Sequence, residues 1–471
     1  MTSRRALVAL LAPLAVAALA APAPATARQS PAFATVSVPG TSGFSEPRVS
    51  IGPRDARYLT TNDTHGTEAV FRSTDGQHWA PLAVPPGQTA PTTDVDIVTM
   101  PTGRILTSEL DTAGVNFVTA YSDDKGQTWH QSRFTTYADT DRQWFAVGPH
   151  AAGSDQPRVY LLFHNLGSGL AQHNMFVETS TDGGATFGPP IPVTHPGEQA
   201  YLDLMCADSG GPSDIFVNQR TGQVYVAFGT RSSAIGGCAA KPVEINVVAA
   251  NRVWVVTAPA AGTTNPLSWH PSLAVDDSAT GKIVGMQLAP GAVDDAGNVF
   301  VAYPESTRPY PLYDGAAIKL VHAAGDLSHW SAPTVIAPSG GAGHILPHVV
   351  AGDRGKVDLA YYSGAADGNW YSDMSQVTDA LAPHPHVVTV RLSPASVEHG
   401  SASRLMGACM SGSSATLNGF VCGRSADVYG VALDACGRLL VAFPGQAGTG
   451  VTYTAQQTSG PRLRASRCRA L

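Results

Sequence analysis

The sequence predicts an all-β protein: a single β-propeller of four-stranded blades, with seven blades favoured and six as the alternative. A turn followed by a short apolar strand recurs seven times along the 471 residues, and such repetition indicates a fold built from radially arranged sheets. The 48 glycines and 35 prolines are spread along the chain, which is typical of many short strands joined by turns. No stretch after the N-terminal segment shows sustained helical periodicity.

The first residues of the chain have the pattern of a secretory signal peptide. Arg4 and Arg5 form a positive n-region, and an apolar run from Ala6 to Ala20 follows. Ala25-Thr26-Ala27 supplies the small residues that signal peptidase reads. The run is too short for a stable membrane span, and no later segment approaches the roughly 20 apolar residues that a span needs. We therefore predict a signal peptide over residues 1–27, a propeller over residues 28–471 and a secreted mature chain.

Cysteine usage agrees with export. All six cysteines lie in the predicted mature part, and an even number in an oxidising compartment favours disulfide bonds. No Cys-x-x-Cys or Cys/His spacing typical of zinc is present. The sequence leaves the connectivity open, although proximity along the chain favours the pairs Cys206–Cys238, Cys409–Cys422 and Cys436–Cys468.

Charge narrows the class of partner. The formal net charge is -7, and only 14% of the residues are charged. A nucleic-acid-binding protein normally shows a basic stripe, whereas the basic residues cluster here only in a C-terminal tail that we interpret as a solvated end: Arg462, Arg464, Arg467 and Arg469. We expect a monomer that contacts an extracellular glycan or a protein surface and has neither a nucleic-acid partner nor a membrane span.

Each repeat places a Gly- or Asp-containing turn before a run of apolar and β-branched residues, as in a β-hairpin. The seven segments are 55–59, 102–106, 156–161, 221–227, 296–302, 353–360 and 435–442. In most copies a second short strand precedes the turn, as at 47–51, 144–147 and 346–350. Sheets repeated in this way bury their faces on their neighbours and close radially. We also predict that the strand around Phe33 to Val38 completes the last blade as its outer strand.

A turn motif follows the turn-and-strand segment in several repeats. Ser122–Trp129 matches the pattern Ser-x-Asp-x-Gly-x-Thr-Trp at every fixed position, and Ser180–Phe187 matches it with Phe in place of Trp. Ser73–Trp79 is one residue shorter, and Gly325–Trp330 is a degenerate copy. The Asp carboxylate in such a turn accepts backbone N–H groups, Gly permits a positive φ, and the aromatic residue packs over the hairpin.

With these turns, the chain resembles the BNR-repeat, or sialidase-like, propeller families, and the repeats cover nearly all of the predicted mature chain. In those families the Asp-box turns lie on outer hairpins, away from the central site. The resemblance therefore implies a structural role for the aspartates of the four turns: Asp75, Asp124, Asp182 and Asp326.

The first residues of the innermost strands form the main candidate site, because these strand starts meet at one end of a propeller's central channel. They are Glu46, Arg48, Asp94, Asp96, Asp141, Arg142, Trp144, Asp214, His348, Asp427 and Tyr429. In one interpretation an acid and a base flank a scissile bond while arginines hold an anionic group. In a second interpretation, acids and arginines pair with each other to close the ring, as the segment 139–144 suggests. A third is a structural calcium ion held by converging carboxylates.

Sialidase chemistry supplies a more specific set of expectations. The resemblance implies a tyrosine nucleophile with a partnering Glu, an Asp acid/base and three arginines on the substrate carboxylate. The candidates for the catalytic residues are Tyr303, Glu305 and Asp141. The residues predicted to bind substrate are Arg48, Arg142, Arg308, Asp94, Asp96, His348 and Asp427. Those families also carry a Phe/Tyr-Arg-Ile-Pro segment near the N-terminus, where this chain has Glu46-Pro47-Arg48-Val49.

Two functions from different classes follow. The first is an exo-glycosidase of the exo-α-sialidase type acting on extracellular glycans, which rests on the resemblance. The alternative is a non-catalytic propeller that binds glycan, peptide or a protein partner through the same funnel, and the missing Arg-Ile-Pro segment favours it. Neither function requires a cofactor. The sequence contains no Gly-x-Ser-x-Gly elbow, no His-Glu-x-x-His motif and no phosphate-binding loop.

Overall fold

Seven antiparallel sheets follow one another around a ring in the computed structural model of the protein. This arrangement confirms the predicted propeller of four-stranded blades and decides the blade count in favour of seven. The structure describes residues 30–41, 46–63, 67–86, 94–110, 117–133, 140–165, 174–206, 212–233, 250–284, 289–306, 315–399, 430–445 and 451–464.

Blades 1 to 4 each use four strands that are consecutive in the chain. Blade 1 consists of β2 (Arg48–Ile51), β3 (Arg57–Asn62), β4 (Glu68–Ser73) and β5 (Ala80–Pro81). Blade 2 consists of β6 (Val95–Thr99), β7 (Ile105–Leu110), β8 (Phe117–Ser122) and β9 (His130–Gln131). Blade 3 consists of β10 (Thr140–His150), β11 (Pro157–Asn165), β12 (Met175–Ser180) and β13 (Ile191–Pro192). Blade 4 consists of β14 (Pro212–Val217), β15 (Val224–Thr230), β16 (Arg252–Ala258) and β17 (His270–Asp276).

Blades 5 to 7 keep the same strand order, except that blade 6 has a fifth strand and blade 7 takes its fourth strand from the N-terminal part of the chain. Blade 5 consists of β18 (Gly291–Val293), β19 (Val299–Glu305), β20 (Ala317–Ala323) and β21 (Thr334–Ala337). Blade 6 consists of β22 (Gly343–Ala351), β23 (Val357–Gly364), β24 (Asn369–Val377), β25 (Val387–Arg391) and the short β26 (Glu398–His399). Blade 7 consists of β27 (Gly430–Leu433), β28 (Leu439–Pro444), β29 (Thr452–Ser459) and β1 (Ala32–Ser37).

Strand β1 closes the ring. It pairs antiparallel with β29, and Thr35 lies opposite Ala455 in this register. The first described strand is thereby the outer strand of the last blade, which confirms the sequence prediction for the region around Phe33. Such closure leaves only short edges open to pairing with other chains.

Hydrophobic packing between blades holds the ring together. One apolar cluster fills each interface between neighbouring blades in the described part of the chain. Between blades 2 and 3, for example, the rings of Phe117 and Phe163 have centroids 5.0 Å apart, and Leu106 and Leu161 belong to the same cluster. Alternate residues of each strand face opposite neighbours, so both faces of an inner strand are buried.

The four segments that resemble Asp-boxes form the turns between the third and fourth strands of blades 1, 2, 3 and 5. In blade 2, Asp124 Oδ1 accepts the N–H groups of Gln127 at 3.0 Å and Thr128 at 2.9 Å. The Thr128 side chain donates to Asp124 Oδ2 at 2.6 Å, and these hydrogen bonds lower the pKa of Asp124 to about 2. Gly126 has φ 83°, and a Cβ atom there would lie 2.5 Å from Leu82 Cδ1 of blade 1. The turn is thus held by its own hydrogen bonds and packs against the neighbouring blade.

A helix between blades 3 and 4, α1 (Gln199–Cys206), is a feature that the sequence analysis missed. Its Asp203 is completely buried and accepts hydrogen bonds from Arg252 Nη1 at 2.9 Å and from the Ser233 N–H at 2.8 Å. An eight-residue helix spans little more than two turns, too few for a periodic apolar pattern to stand out. The described helices include none long and apolar enough to cross a membrane.

Several predictions fall outside the described residues and remain predictions. They include the signal peptide over residues 1–27 and the cysteine pairing. Cys436 is disulfide-bonded, and none of the described cysteines is free. Cys238, Cys409, Cys422 and Cys468 all lie outside the described segments.

Candidate functional site

The central channel of the propeller contains a cavity of about 390 Å³. Its wall comes from the first strand of every blade, because each of the seven sheets places that strand innermost. Apolar residues such as Val49, Ile97 and Val349 form the middle of the wall. The volume falls within the range of about 300–1,000 Å³ that is common for small-molecule sites.

Charged residues gather where the innermost strands begin, at the end of the channel that we call the mouth: Arg48, Asp96, Asp214 and His348. Arg48 Nε lies 3.0 Å from Asp96 Oδ1, and its guanidinium lies 4.8 Å from the centroid of the Trp144 ring. Asp96 Oδ2 also accepts the Phe145 N–H at 2.7 Å. These contacts fix the guanidinium while 18% of the Arg48 side chain stays exposed.

Arg142 makes a second, deeper set of ion pairs beside the mouth. Its Nη1 atom lies 3.4 Å from Glu46 Oε2 and 3.7 Å from Asp94 Oδ1. The side chains of Arg142 and Glu46 are only 2% and 1% exposed. Arg142 adopts φ 59°, and the pairing of β10 with β11 is irregular between Asp141 and Trp144. A β-bulge of this kind re-aims a side chain, and here it turns the guanidinium to the acids.

Asp214 is the group at the mouth whose chemistry departs most from that of an ordinary surface acid. Burial raises the pKa of Asp214 to about 7, against the opposing effect of the Arg48 charge, and the negative charge of Asp96 adds to the rise. Asp214 Oδ1 accepts the Ile215 N–H at 2.9 Å. A carboxyl group with this pKa is present in both protonation states near neutral pH.

A hydrogen-bonded pair of acids lies on the same side of the ring. Glu68 and Glu109 share a side-chain hydrogen bond, and burial raises the pKa of Glu68 to about 7. Thr60 Oγ1 donates to Glu68 Oε1 at 2.7 Å. Two carboxyl groups in contact retain one proton between them, and this hydrogen bond links β4 of blade 1 to β7 of blade 2.

The structure does not bring the proposed nucleophile to the channel. Tyr303 is completely buried and belongs to the apolar cluster between blades 4 and 5, and burial raises the pKa of its hydroxyl well above the usual range. Glu305 accepts Lys319 Nζ at 2.7 Å and pairs with Lys282 Nζ at 3.0 Å. Neither residue lines the channel cavity. Both lie on β19, the second strand of blade 5, which is separated from the propeller axis by the first strand.

Two groups of the other predicted site residues lie at the channel or directly beside it. Arg48, Asp96 and His348 line the cavity, whereas Arg142 and Asp94 form the buried ion pairs beside it. Asp141 lies in β10 opposite His164. Arg308, Asp427 and Tyr429 lie outside the described residues.

Blade 5 contributes a mouth residue that the sequence analysis omitted. Gly291 begins β18 and lines the cavity. A Cβ atom at this position would lie 2.2 Å from Phe216 Cε1, so glycine allows blades 4 and 5 to approach each other. The available signal was the position of this glycine, directly before the fifth repeat of the turn-and-strand element.

Within the described segments, no three His, Cys, Asp or Glu side chains converge in a way that could hold a metal ion. The structural calcium ion at the mouth stays a prediction.

Comparison with known proteins gives the fold a precedent. No family model matches the chain, and no curated protein matches it. The structure of an ulvan lyase, described as a new family of polysaccharide lyase and bound to GlcA(1-4)Rha3S, matches with a TM-score of 0.55 at 12% identity and covers 93% of this chain and 98% of that chain. A second structure of that lyase family gives a TM-score of 0.50 at 11% identity, with 92% and 97% covered. At this level of identity the likeness shows the fold alone.

Proposed function

We propose that this protein binds a glycan at the mouth of its central channel. The observation that carries the proposal is the combination of a fixed guanidinium, Arg48, and a carboxyl group of raised pKa, Asp214, on the wall of one cavity. Together they present hydrogen-bond donors and acceptors side by side, which is what the hydroxyl groups of a sugar require.

The mouth is preorganised for a polar ligand. Trp144 and Asp96 hold the Arg48 guanidinium in place before any ligand arrives, so binding costs little side-chain entropy. The cavity is lined mainly by polar groups, with apolar residues such as Val49, Ile97 and Val349 between them, and such polar groups can orient a ligand. The ulvan lyase structure holds a sugar ligand on a similar fold, and the proposal extends carbohydrate recognition to this chain.

The contacts favour binding over sialidase-type catalysis. Arg142 is buried against its acids, so it is not exposed as one of three arginines for a sialate carboxylate. Tyr303 lies between blades 4 and 5, where a substrate in the channel does not reach it. An exo-α-sialidase activity would need a different nucleophile from the one that the resemblance suggests.

A second candidate function is glycoside hydrolysis with Asp214 as the proton donor. The specific observation is that Asp214, with a pKa of about 7, lies near Asp96, which Arg48 and backbone N–H groups hold by hydrogen bonds. Carboxyl groups whose environments differ in this way act as acid and base in glycosidases. Under this alternative Asp214→Asn abolishes turnover of a chromogenic glycoside, whereas under the binding proposal no variant and no wild-type sample turns it over.

The binding proposal is tested with a glycan array and titration calorimetry on the purified mature protein. We expect a glycan ligand for the wild type and a loss of affinity of about tenfold or more for Arg48→Ala, because one charge-assisted hydrogen-bonding group is removed. Arg354→Ala is the matched control, since Arg354 is exposed on the turn before β23 in blade 6. Equal affinities of wild type and Arg48→Ala would place the glycan elsewhere, and a wild type that binds no glycan would refute the proposal.

A further inference from the structure

Five buried oxygen atoms without a hydrogen-bond partner belong to residues of the two sheets that meet between blades 2 and 3. They are both carboxylate oxygens of Glu178 and the hydroxyl oxygens of Ser108, Thr119 and Ser132. Glu178 is completely buried, and the three hydroxyl residues are at most 5% exposed. Buried polar groups are nearly always paired in proteins, so this cluster requires an explanation.

The strand registers place the four residues together. Ser108 lies opposite Thr119, and the Ser132 N–H donates to the Thr119 carbonyl, so the three hydroxyl residues form one row across blade 2. Leu106 and Leu110, which flank Ser108 on the same face of β7, belong to the cluster between blades 2 and 3. The row therefore points at blade 3.

Glu178 points back from the facing sheet. It lies two residues from Phe176 on β12, and Phe176 is part of the same interface cluster. It lies opposite Leu161. On β11, Leu161 lies between the interface residues Val159 and Phe163. Ser108 has the equivalent middle position on β7, between Leu106 and Leu110. The Phe117–Phe163 ring contact covers this level on one side. On the other side Leu106 packs against Gly184, where a Cβ atom would lie 2.7 Å from Leu106 Cδ2.

We propose that this enclosed cluster is a binding site for one monovalent cation, with Na⁺ as the expected occupant. Carboxylate and hydroxyl oxygens are hard ligands of the kind that alkali and alkaline-earth ions take. A single carboxylate balances a single positive charge. A divalent ion would leave one charge uncompensated among the aromatic and aliphatic residues of the interface, which is costly in an apolar environment.

The chemistry of the cluster favours a cation over its two competitors. A proton satisfies one carboxylate oxygen and leaves the three hydroxyl groups as they are. A single water molecule makes at most about four hydrogen bonds, fewer than the five oxygen atoms present, and it leaves the charge of an ionised Glu178 uncompensated. A cation accepts lone pairs from all of the oxygen atoms at once and also neutralises Glu178.

No basic side chain in the described part of the interface neutralises Glu178. Arg104 lies at its edge, where Nε and Nη2 pair with Asp123 at 2.7 and 2.8 Å. His130, Arg133 and Asp182 lie at the outer margin, and Asp182 is held by its own turn. Burial alone raises the pKa of Glu178 to about 8, so a proton and a cation compete for the carboxylate as the pH changes.

The test is thermal unfolding of the full mature chain in NaCl, KCl or choline chloride at matched ionic strength, at pH 9 and pH 5. At pH 9 we expect the wild type to unfold about 2–4 °C higher in NaCl than in choline chloride, and at pH 5 we expect no difference because the proton occupies the carboxylate. The Glu178→Gln variant should show no Na⁺ response at either pH value. Ser108→Ala combined with Thr119→Val, which keeps the carboxylate, should weaken the response.

The matched control is Asp358→Asn. Asp358 is a buried acid of blade 6 whose pKa burial also raises to about 7, but Gln376 Nε2 donates to it at 3.1 Å. Asp358→Asn should keep the full Na⁺ response. Equal unfolding temperatures of the wild type in NaCl and choline chloride at pH 9 would overturn the proposal, as would an unchanged response in Glu178→Gln. The first result would show that no Na⁺ ion stabilises the protein at Glu178, the second would place the Na⁺ effect elsewhere in the protein, and neither bears on glycan binding at the mouth.

Discussion

Replacing Arg142 with Ala is expected to lower the free energy of unfolding by about 3–5 kcal/mol. The guanidinium is the cation beside Glu46 and Asp94, at 3.4 and 3.7 Å, and all three groups are buried. Removing it takes a positive charge away from two buried carboxylates, and breaking a buried ion pair is among the costlier changes in a protein. The change also removes one of the contacts that join blades 1, 2 and 3 at the mouth.

Chemical denaturation of wild type and Arg142→Ala at several pH values measures this effect. The loss of the ion pairs matters while the carboxylates carry charge, so the stability penalty should be largest at neutral pH and smaller under acidic conditions. Arg354→Ala, the exposed control, should change stability by less than about 0.5 kcal/mol. A penalty for Arg142→Ala as small as that of the control would contradict this account of the mouth.

Asp203→Ala is expected to cost about 3 kcal/mol or more, because this carboxylate serves several buried donors. It accepts Arg252 Nη1 at 2.9 Å, the Ser233 N–H at 2.8 Å and Trp254 Nε1 at 3.2 Å. Without it the indole N–H and the Ser233 amide lose their acceptor inside the interface between blades 3 and 4. Helix α1 also loses its main polar attachment to blade 4.

Thermal and denaturant unfolding of Asp203→Ala beside Asp276→Ala separates this anchoring role from a simple ion pair. Asp276 pairs with the same arginine at 2.9 Å, but its side chain is 38% exposed, and exposed ion pairs contribute at most about 1 kcal/mol. We expect the Asp203 variant to lose several times more stability than the Asp276 variant. Similar losses in the two variants would mean that the buried acceptor role has been overestimated.

The sequence predicted the architecture because local signals repeat in a propeller. Each turn before a second strand carries its own glycine or aspartate, and seven copies average out the ambiguity of any single one. The closing strand around Phe33 was also predicted, and it pairs with β29 as the outer strand of the last blade. The Asp-box turns were visible because their carboxylates act on residues two to four positions away, which is a local pattern.

Long-range placement was harder to predict. Tyr303 and Glu305 looked like a site because they are close in sequence to each other and to Arg308. Their strand, however, is the second in its blade, and the layer to which a strand belongs depends on the closure of the ring. Gly291 was missed because glycine carries no functional group, and its role is to admit Phe216 of the neighbouring blade. Glu178 was missed for a similar reason: a single acid in an apolar strand gives no sign of the hydroxyl groups that it faces.

The residues of the mouth could be predicted from the sequence only in part. The acids and arginines at the strand starts were identified from sequence, and the structure brings Arg48, Asp96 and Asp214 to one cavity. What the sequence left open was whether these groups pair with one another or wait for a ligand. The structure shows ion pairs for Arg48 and Arg142 and a carboxyl group of raised pKa in Asp214, and this combination is the basis of the binding proposal.

The most direct test of that proposal is the pH dependence of glycan affinity between pH 5 and 9, measured by calorimetry for the wild type and Asp214→Asn. A bound sugar displaces water from Asp214 and favours its neutral form, so the pKa of this group rises further in the complex. The wild-type affinity should be highest below pH 7 and should fall as the pH rises through about 7, whereas the affinity of Asp214→Asn should stay nearly constant. The same pH profile in both proteins would contradict a ligand site at the channel mouth.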